Sequence, residues 1–213
     1  MYHHVKPFAQ AQSFNRLIAL LALPTISLCS ASVLAAERAP SYLELGYLIS
    51  DLELAGQQYS GSGVRVKGAM ALNTRLRLVG HYDAVGFDSS NDLSRKDFGL
   101  GADYRFGLGA GIALGARYEY VRSQVSSTST VSANGNFFAG ELLWDLPDWA
   151  INLGSKRQLE LYAGHTRYTD TNVNEFGGEL RVYINDSFSV GLAYQQEQPN
   201  KGSNLMISIR EER

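Results

Sequence analysis

From Tyr42 to Arg210 apolar and polar residues alternate with a period of two. Successive side chains of a β-strand point to opposite faces, so this pattern predicts strands with two unlike faces. No helical periodicity of comparable length competes with it. Ten stretches carry the pattern. In the first, Leu43, Leu45, Tyr47 and Ile49 share a face opposite Glu44, Gly46 and Ser50. In the second, Val64, Val66, Met70 and Leu72 oppose Arg65, Lys67, Ala69 and Ala71. In the third, Leu76, Leu78 and Tyr82 oppose Arg75, Arg77, His81 and Asp83. In the fourth and fifth, Phe98, Leu100, Tyr104, Phe106 and then Ile112, Leu114, Tyr118, Tyr120 oppose Asp97, Asp103, Arg105 and then Arg117, Glu119. In the second half, Phe138, Leu142 and Trp144 oppose Glu141; Leu159 and Leu161 oppose Glu160 and Tyr162; Phe176 and Leu180 oppose Glu179 and Arg181. The last two set Phe188, Leu192 and Tyr194 against Gly191 and Gln195, and Leu205, Ile207 and Ile209 against Asn204, Ser208 and Arg210.

The connections alternate too. Asn73-Thr74, Gly107-Leu108 and Asn185-Asp186 read as tight turns. Between them lie polar links at about residues 52–61, 85–96 and 122–135, with shorter ones near 169–173 and 198–202. Residues 147–157, with Pro147 and Trp149, are a long link at the short-turn end. Tight turns at one end and longer loops at the other is the build of outer-membrane barrels. Ten residues at ~3.3 Å each, tilted ~45°, span roughly 23 Å, close to the apolar height of that membrane. The expected fold is all-β: a closed antiparallel up-and-down transmembrane β-barrel of about ten strands, eight being the alternative count. An even number leaves both termini at the periplasmic end.

A soluble periplasmic lipocalin-like barrel, with its apolar face inside and a ligand bound there, would carry the same alternation. Three features favour the membrane. The polar face is rich in Gly, including Gly99, Gly101, Gly115, Gly177 and Gly191, which a narrow lumen needs and a solvated strand does not. That face also carries both signs of charge: Glu44, Arg65, Lys67, Arg75, Arg77, His81, Asp83, Asp103, Arg105, Arg117, Glu119, Glu141, Glu160, Glu179 and Arg181 form the expected lumen network. Arg dominates over Lys there, as suits bidentate pairing in a confined space. Finally, the apolar face carries aromatics near strand ends. Tyr82, Leu100, Tyr104, Phe106, Leu114, Tyr118, Tyr120, Trp144, Leu161, Phe188 and Tyr194 are the expected lipid-facing and girdle residues.

Residues 1–36 differ from the rest. Lys6 and Arg16 precede an almost uncharged run from Leu17 to Leu34, then Ala35 and Ala36, and charge resumes at Glu37. This predicts a signal peptide cleaved after Ala35 or Ala36, with residues 37–213 forming one barrel domain. The mature part would keep all 21 acidic residues and lose the only cysteine, Cys29. That excludes a disulfide framework, and the negative balance argues against nucleic-acid binding.

The chain from Ser41 to Arg210 resembles the small outer-membrane β-barrel proteins of Gram-negative bacteria, through segments such as Phe98–Phe106 (FGLGADYRF), Ile112–Tyr120 (IALGARYEY) and Phe188–Tyr194 (FSVGLAY). The resemblance implies passage by periplasmic chaperones, insertion by the barrel-assembly machinery, and a monomer in contact with outer-membrane lipid and lipopolysaccharide, its loops at the cell surface. Family members usually end in an aromatic residue; this chain ends Ser208-Ile209-Arg210-Glu211-Glu212-Arg213, and Gly101–Phe106 is a candidate internal substitute that also reads as ordinary strand patterning.

Little chemistry accompanies the pattern. His81 and Asp83 share a face and could form an acid–base pair, but membership of the charge network is the favoured reading. His165 falls on the opposite face. Asp97 and Asp103 are six residues apart, ~20 Å along a strand, and cannot act together. The sequence shows no serine elbow, phosphate-binding glycine loop or cluster of metal ligands. No catalytic, cofactor or metal site is therefore expected. The Ser/Thr-rich stretch 122–135 could contact a host surface or lipopolysaccharide, although a solvated loop is the plainer reading. The expected role is non-enzymatic, in envelope structure or surface interaction, with narrow porin-like conductance as the alternative.

Overall fold

The computed structural model describes residues 40–213 except 55, 89–91, 148–155 and 200–201. The expected leader, its cleavage site and Trp149 lie outside the described residues. Ten strands follow in order: β1 (Tyr42–Leu54), β2 (Gln57–Ala71), β3 (Leu76–Phe87), β4 (Ser94–Gly109), β5 (Ile112–Ser126), β6 (Thr130–Asp145), β7 (Arg157–Tyr168), β8 (Asn172–Tyr183), β9 (Phe188–Gln198) and β10 (Ser203–Glu212). Each pairs antiparallel with its chain neighbours, and β1 pairs with β10, so the sheet closes as an up-and-down barrel. The closing seam runs from Tyr42↔Glu212 to Asp51↔Ser203. At its end Ser41 N–H donates to Arg213 O at 3.1 Å, and Arg213 N–H to Ser41 O at 2.9 Å. Closure leaves no sheet edge with unpaired backbone groups.

The alternation decides which face points where, and it points inside out. On β1, Leu43 and Leu45 are 60% and 61% exposed while Glu44 between them is 1% exposed. On β10, Leu205, Ile207 and Ile209 are exposed while Asn204, Ser208 and Arg210 are buried. A soluble barrel would show the reverse, because burying apolar surface drives its folding. The interior is not wholly polar. Leu48, Leu52, Val85, Phe87, Leu93 and Met206 form a buried apolar cluster. Leu48 and Met206 have the inward parity of strands read in the sequence, whereas Leu52, Val85, Phe87 and Leu93 fall in the stretches 52–61 and 85–96 read there as links.

The end holding both termini has the tight connections. Asn73 Oδ1 accepts from the backbone N–H groups of Arg75 and Leu76, both at 2.8 Å. Asn185 repeats the device, accepting from Ser187 at 2.9 Å and Phe188 at 2.8 Å. These side chains stand in for backbone carbonyls, which is why Asn serves in such turns. The turn expected at Gly107-Leu108 lies further on. β4 continues to Gly109 with a register shift between Gly107 and Gly109, and the connection is Ala110-Gly111. Ala110 and Gly111 have φ of 52° and 74°. Consecutive positive φ values match the twist of a two-residue hairpin, and the bulge absorbs the extra strand residue. The long link at this end runs 146–156, eleven residues between β6 and β7.

At the other end the expected long loops are mostly strand. β1 and β2 are joined by 55–56 alone, and β5 and β6 by 127–129. β5 and β6 stay in register out to Ser126↔Thr130. The stretches 52–61 and 122–135 lose apolar alternation without losing the sheet. Their Thr, Tyr and Val residues suit strands, and hairpin pairing satisfies their backbone. Alternation requires two unlike environments, so a strand with water on both sides has no reason to show it. The link 88–93 is the longest at this end.

Candidate functional site

The inward side chains of all ten strands converge on a charged lumen. Nearest the termini, Glu44 Oε2 accepts from Arg210 Nε at 2.7 Å and from Arg181 Nη2 at 2.8 Å. Glu179 pairs with Arg181 and lies 3.8 Å from Arg210. The Tyr42 ring closes over this layer, its centroid 4.1 Å from the Arg210 guanidinium carbon and 5.4 Å from that of Arg77. Such stacking on a ring face is favourable for a guanidinium. Arg77 makes a two-pronged contact with Asp103, Nε to Oδ1 at 2.9 Å and Nη2 to Oδ2.

Above these, two arginines act as bridges. Arg105 reaches Asp103 at 3.6 Å, Glu141 at 3.8 Å and Glu160 at 3.9 Å. Arg117 pairs with Glu141 and reaches Glu119 at 3.6 Å and Glu160 at 3.7 Å. His81 Nδ1 is 2.8 Å from Glu119 Oε2. Arg65 holds Asp83 through two bonds, at 2.7 Å and 2.5 Å. Toward the hairpin end Arg95 spans Asp97 at 2.6 Å and Glu197 at 3.1 Å. Glu175 accepts from Thr166 at 3.0 Å and Gln195 at 2.9 Å. A cavity of about 110 Å³ remains in this half, bordered by Lys67, His81, Glu160, Tyr162, Thr166 and Glu175 among others.

Glycine makes this density feasible. A Cβ at Gly99 would collide with the His81 ring and the Glu119 carboxylate, and one at Gly191 with Glu179 and Ser208. The glycines on the polar face thus leave room that the charged side chains of neighbouring strands fill.

Most of the expected network is brought together. Glu44, Arg65, Arg77, His81, Asp83, Asp103, Arg105, Arg117, Glu119, Glu141, Glu160, Glu179 and Arg181 all point inward and interact as described. Lys67 also borders the cavity but, among the described residues, has no carboxylate within ion-pair distance. Arg75 departs from the expectation: it is exposed in the 72–75 turn, donating to Tyr104 Oη at 3.3 Å and lying over the Phe106 ring at 5.7 Å. The turn ends the strand before Arg75, so its strand parity does not set its direction. His81 joins Glu119 rather than Asp83, because Asp83 is taken by Arg65. His165 lies exposed on the outer face, 2.8 Å from Asn174 Oδ1. Tyr82, Leu100, Tyr104, Phe106, Leu114, Tyr118, Tyr120, Leu161, Phe188 and Tyr194 are exposed on the outer face, and Trp144 is half-buried there.

Sequence reasoning set Glu175 and Arg210 on the polar face without naming them in the charge network, and missed Arg95, Arg157 and Glu197 as lumen residues. Arg210 had the inward parity in plain view. Arg95, Arg157 and Glu197 fell in or beside segments read as links, and the hidden signal was that strand parity continues through them. Among the described residues, no group of three or more His, Cys, Asp or Glu is placed to hold a metal ion.

No family model matches the chain, and no curated protein matches it. Solved structures do. The β domain of the Bordetella autotransporter BrkA aligns with a TM-score of 0.52 and 8% identity, covering 82% of this chain and 100% of that one. The KdgM porin aligns with a TM-score of 0.44 and 7% identity, covering 79% and 98%. Neisserial surface protein A aligns with a TM-score of 0.39 and 16% identity, covering 81% and 97%. At these identities the likeness shows the fold alone: a closed antiparallel barrel of the class to which outer-membrane barrels belong.

Proposed function

We propose that the chain is an integral outer-membrane β-barrel without catalytic activity, serving in envelope structure or surface contact through its hairpin end. One observation carries this reading. The outer face presents an uninterrupted belt of exposed apolar side chains, such as Leu43, Leu45, Tyr47 and Ile49 on β1 and Leu205, Ile207 and Ile209 on β10, while the charges of the same strands are buried. A closed barrel is one of only two backbone arrangements that can span a bilayer, and it needs such a belt. Exposed apolar surface of this extent in water would be an aggregation liability.

The charge network supports a structural rather than a catalytic reading. His81 is committed to Glu119 and Asp83 to Arg65, so neither offers a free acid–base pair. Cell fractionation with gel mobility before and after boiling tests the proposal. The protein is expected in the outer-membrane fraction, with a folded form that resists SDS and shifts on heating. Recovery in the soluble periplasmic fraction would overturn it.

A further inference from the structure

The lumen cavity of about 110 Å³ is bordered by two inward-pointing charges that the network leaves unused. Around it Arg65 is taken by Asp83, Arg95 by Asp97 and Glu197, and His81 by Glu119. Among the described residues Lys67 and Glu175 have no such partner, and the register explains both. Lys67 stands between Glu44 on β1 and His81 on β3. Glu44 is committed to Arg181 and Arg210, so the half-buried Lys67 ammonium keeps its three donors unused among the described residues. Glu175 stands between Gly164 on β7 and Glu197 on β9, so neither neighbouring position brings it a cation. Two neutral donors hold it instead, Thr166 Oγ1 at 3.0 Å from Oε1 and Gln195 Nε2 at 2.9 Å from Oε2. They fix the direction of the carboxylate without neutralising it.

In the ring of strands, β2 and β8 are separated by β1, β10 and β9, so the two groups meet the cavity from different walls. Beside Glu175, Tyr162 stands opposite Gly177, where a Cβ would come within 2.8 Å of Tyr162 Oη. The missing side chain lets the ring lie across β8. Its hydroxyl borders the same cavity and has no hydrogen-bond partner among the described residues. An unpaired cation, an unpaired anion and a free hydroxyl thus share one polar space. At the ~10–15 Å³ that a water-sized group needs, that space holds about seven to eleven such groups. The arginine layers close it on the terminal side, which leaves the hairpin end for entry.

We infer that this cavity binds a free amino acid as a zwitterion, Lys67 taking its carboxylate and Glu175 its ammonium. Charge selects this class of ligand. A lone anion satisfies Lys67 but sets negative charge before Glu175, and a lone cation does the reverse. A zwitterion supplies both missing partners and adds no net charge to the lumen. Both contacts are then charge-assisted hydrogen bonds, the strong kind. The volume suits a single short amino acid rather than a peptide.

The inference concerns the lumen and holds wherever the cell places the barrel, so its test is separate from cell fractionation. The chain, refolded in detergent micelles, is titrated calorimetrically with glycine, β-alanine, γ-aminobutyrate and 6-aminohexanoate, a series that varies the distance between the two charges. Saturable binding is expected for at least one length. For that compound, Lys67→Gln and Glu175→Gln are each expected to weaken binding about tenfold or more, the loss of one charge-assisted bond. Removing either charge from the ligand, as its amide or as the corresponding hydroxy acid, should cost wild type a similar factor. Crossed combinations read the pairing. Lys67→Gln should bind the amide as well as the free amino acid, and Glu175→Gln should bind the hydroxy acid as well as the free amino acid. Asp51→Asn, in an outward hydrogen bond with Ser60 at 2.6 Å, is expected to bind like wild type. The heat-dependent gel shift shows that each variant is folded; if one is not, the comparison of ligands on wild type decides. Saturable binding of none of the four compounds would overturn the site. So would wild-type affinity in either variant, or equal binding of the amide, the hydroxy acid and the free amino acid by wild type.

Discussion

Arg77 and Asp103 are each 1% exposed, and each is the other's principal partner. Their charges are tolerable only together, since removing one partner leaves an uncompensated buried charge. Asp103→Ala is expected to destabilise the barrel by about 3–5 kcal/mol, measured by urea unfolding in lipid vesicles. The double variant Arg77→Met/Asp103→Leu is expected to recover most of that loss, because two apolar groups carry no desolvation cost. A double variant as unstable as the single one would show that the pair's geometry, not its charge balance, matters. At this scale the sequence was legible in direction but not in partnership. Parity placed Glu44, Glu119 and Arg181 inside, yet could not say that Glu44 would serve both Arg181 and Arg210, from β8 and β10. Partners across the lumen depend on strand order and stagger, which no local pattern encodes. Arg75 shows the converse failure: parity stops meaning anything once the chain enters a turn.

The strands were readable wherever the bilayer would impose two environments, and unreadable beyond it. β5 and β6 run some residues past their apolar alternation, and only the three residues 127–129 connect them. Such a hairpin is a firmer surface feature than the mobile loop that its Ser and Thr content suggests. An epitope inserted between Ser127 and Ser129 is expected to be reached by antibody on intact cells. One inserted at Asn73-Thr74 should be reached only after permeabilisation, since that turn lies with the termini; detection of both from outside would invert the topology. The two asparagine turns can be tested for stability. Asn185→Ala removes two side chain–backbone bonds, from Ser187 and Phe188. A loss of about 1 kcal/mol is expected from the same urea unfolding. The Ala110-Gly111 turn was misplaced because the bulge before it consumes a residue, and a bulge has no clear sequence mark.

Taken as one object, the barrel is a shell whose outer face is built for hydrocarbon and whose interior is held together by charge. Successive layers, from Tyr42 and Arg210 through Arg77, Arg105 and Arg117, cross the lumen on the terminal side, while the cavity of about 110 Å³ lies toward the hairpins. A wet path would have to breach those layers, so wild type is expected to give no steady conductance step in a planar bilayer. A stable open level would favour the narrow-channel alternative. The claim on which everything else depends is that the apolar face meets lipid. Cysteines placed at Leu114, Leu161 and Tyr162 and carrying spin labels test it most directly. Leu114 and Leu161 are 46% and 44% exposed on the outer face, whereas Tyr162 borders the lumen cavity. In reconstituted vesicles, lipid-soluble oxygen should relax the labels at Leu114 and Leu161 strongly and the label at Tyr162 weakly, because neighbouring strand residues face opposite sides. Weak relaxation at both leucines with strong relaxation at Tyr162 would contradict the account and turn the barrel outside in.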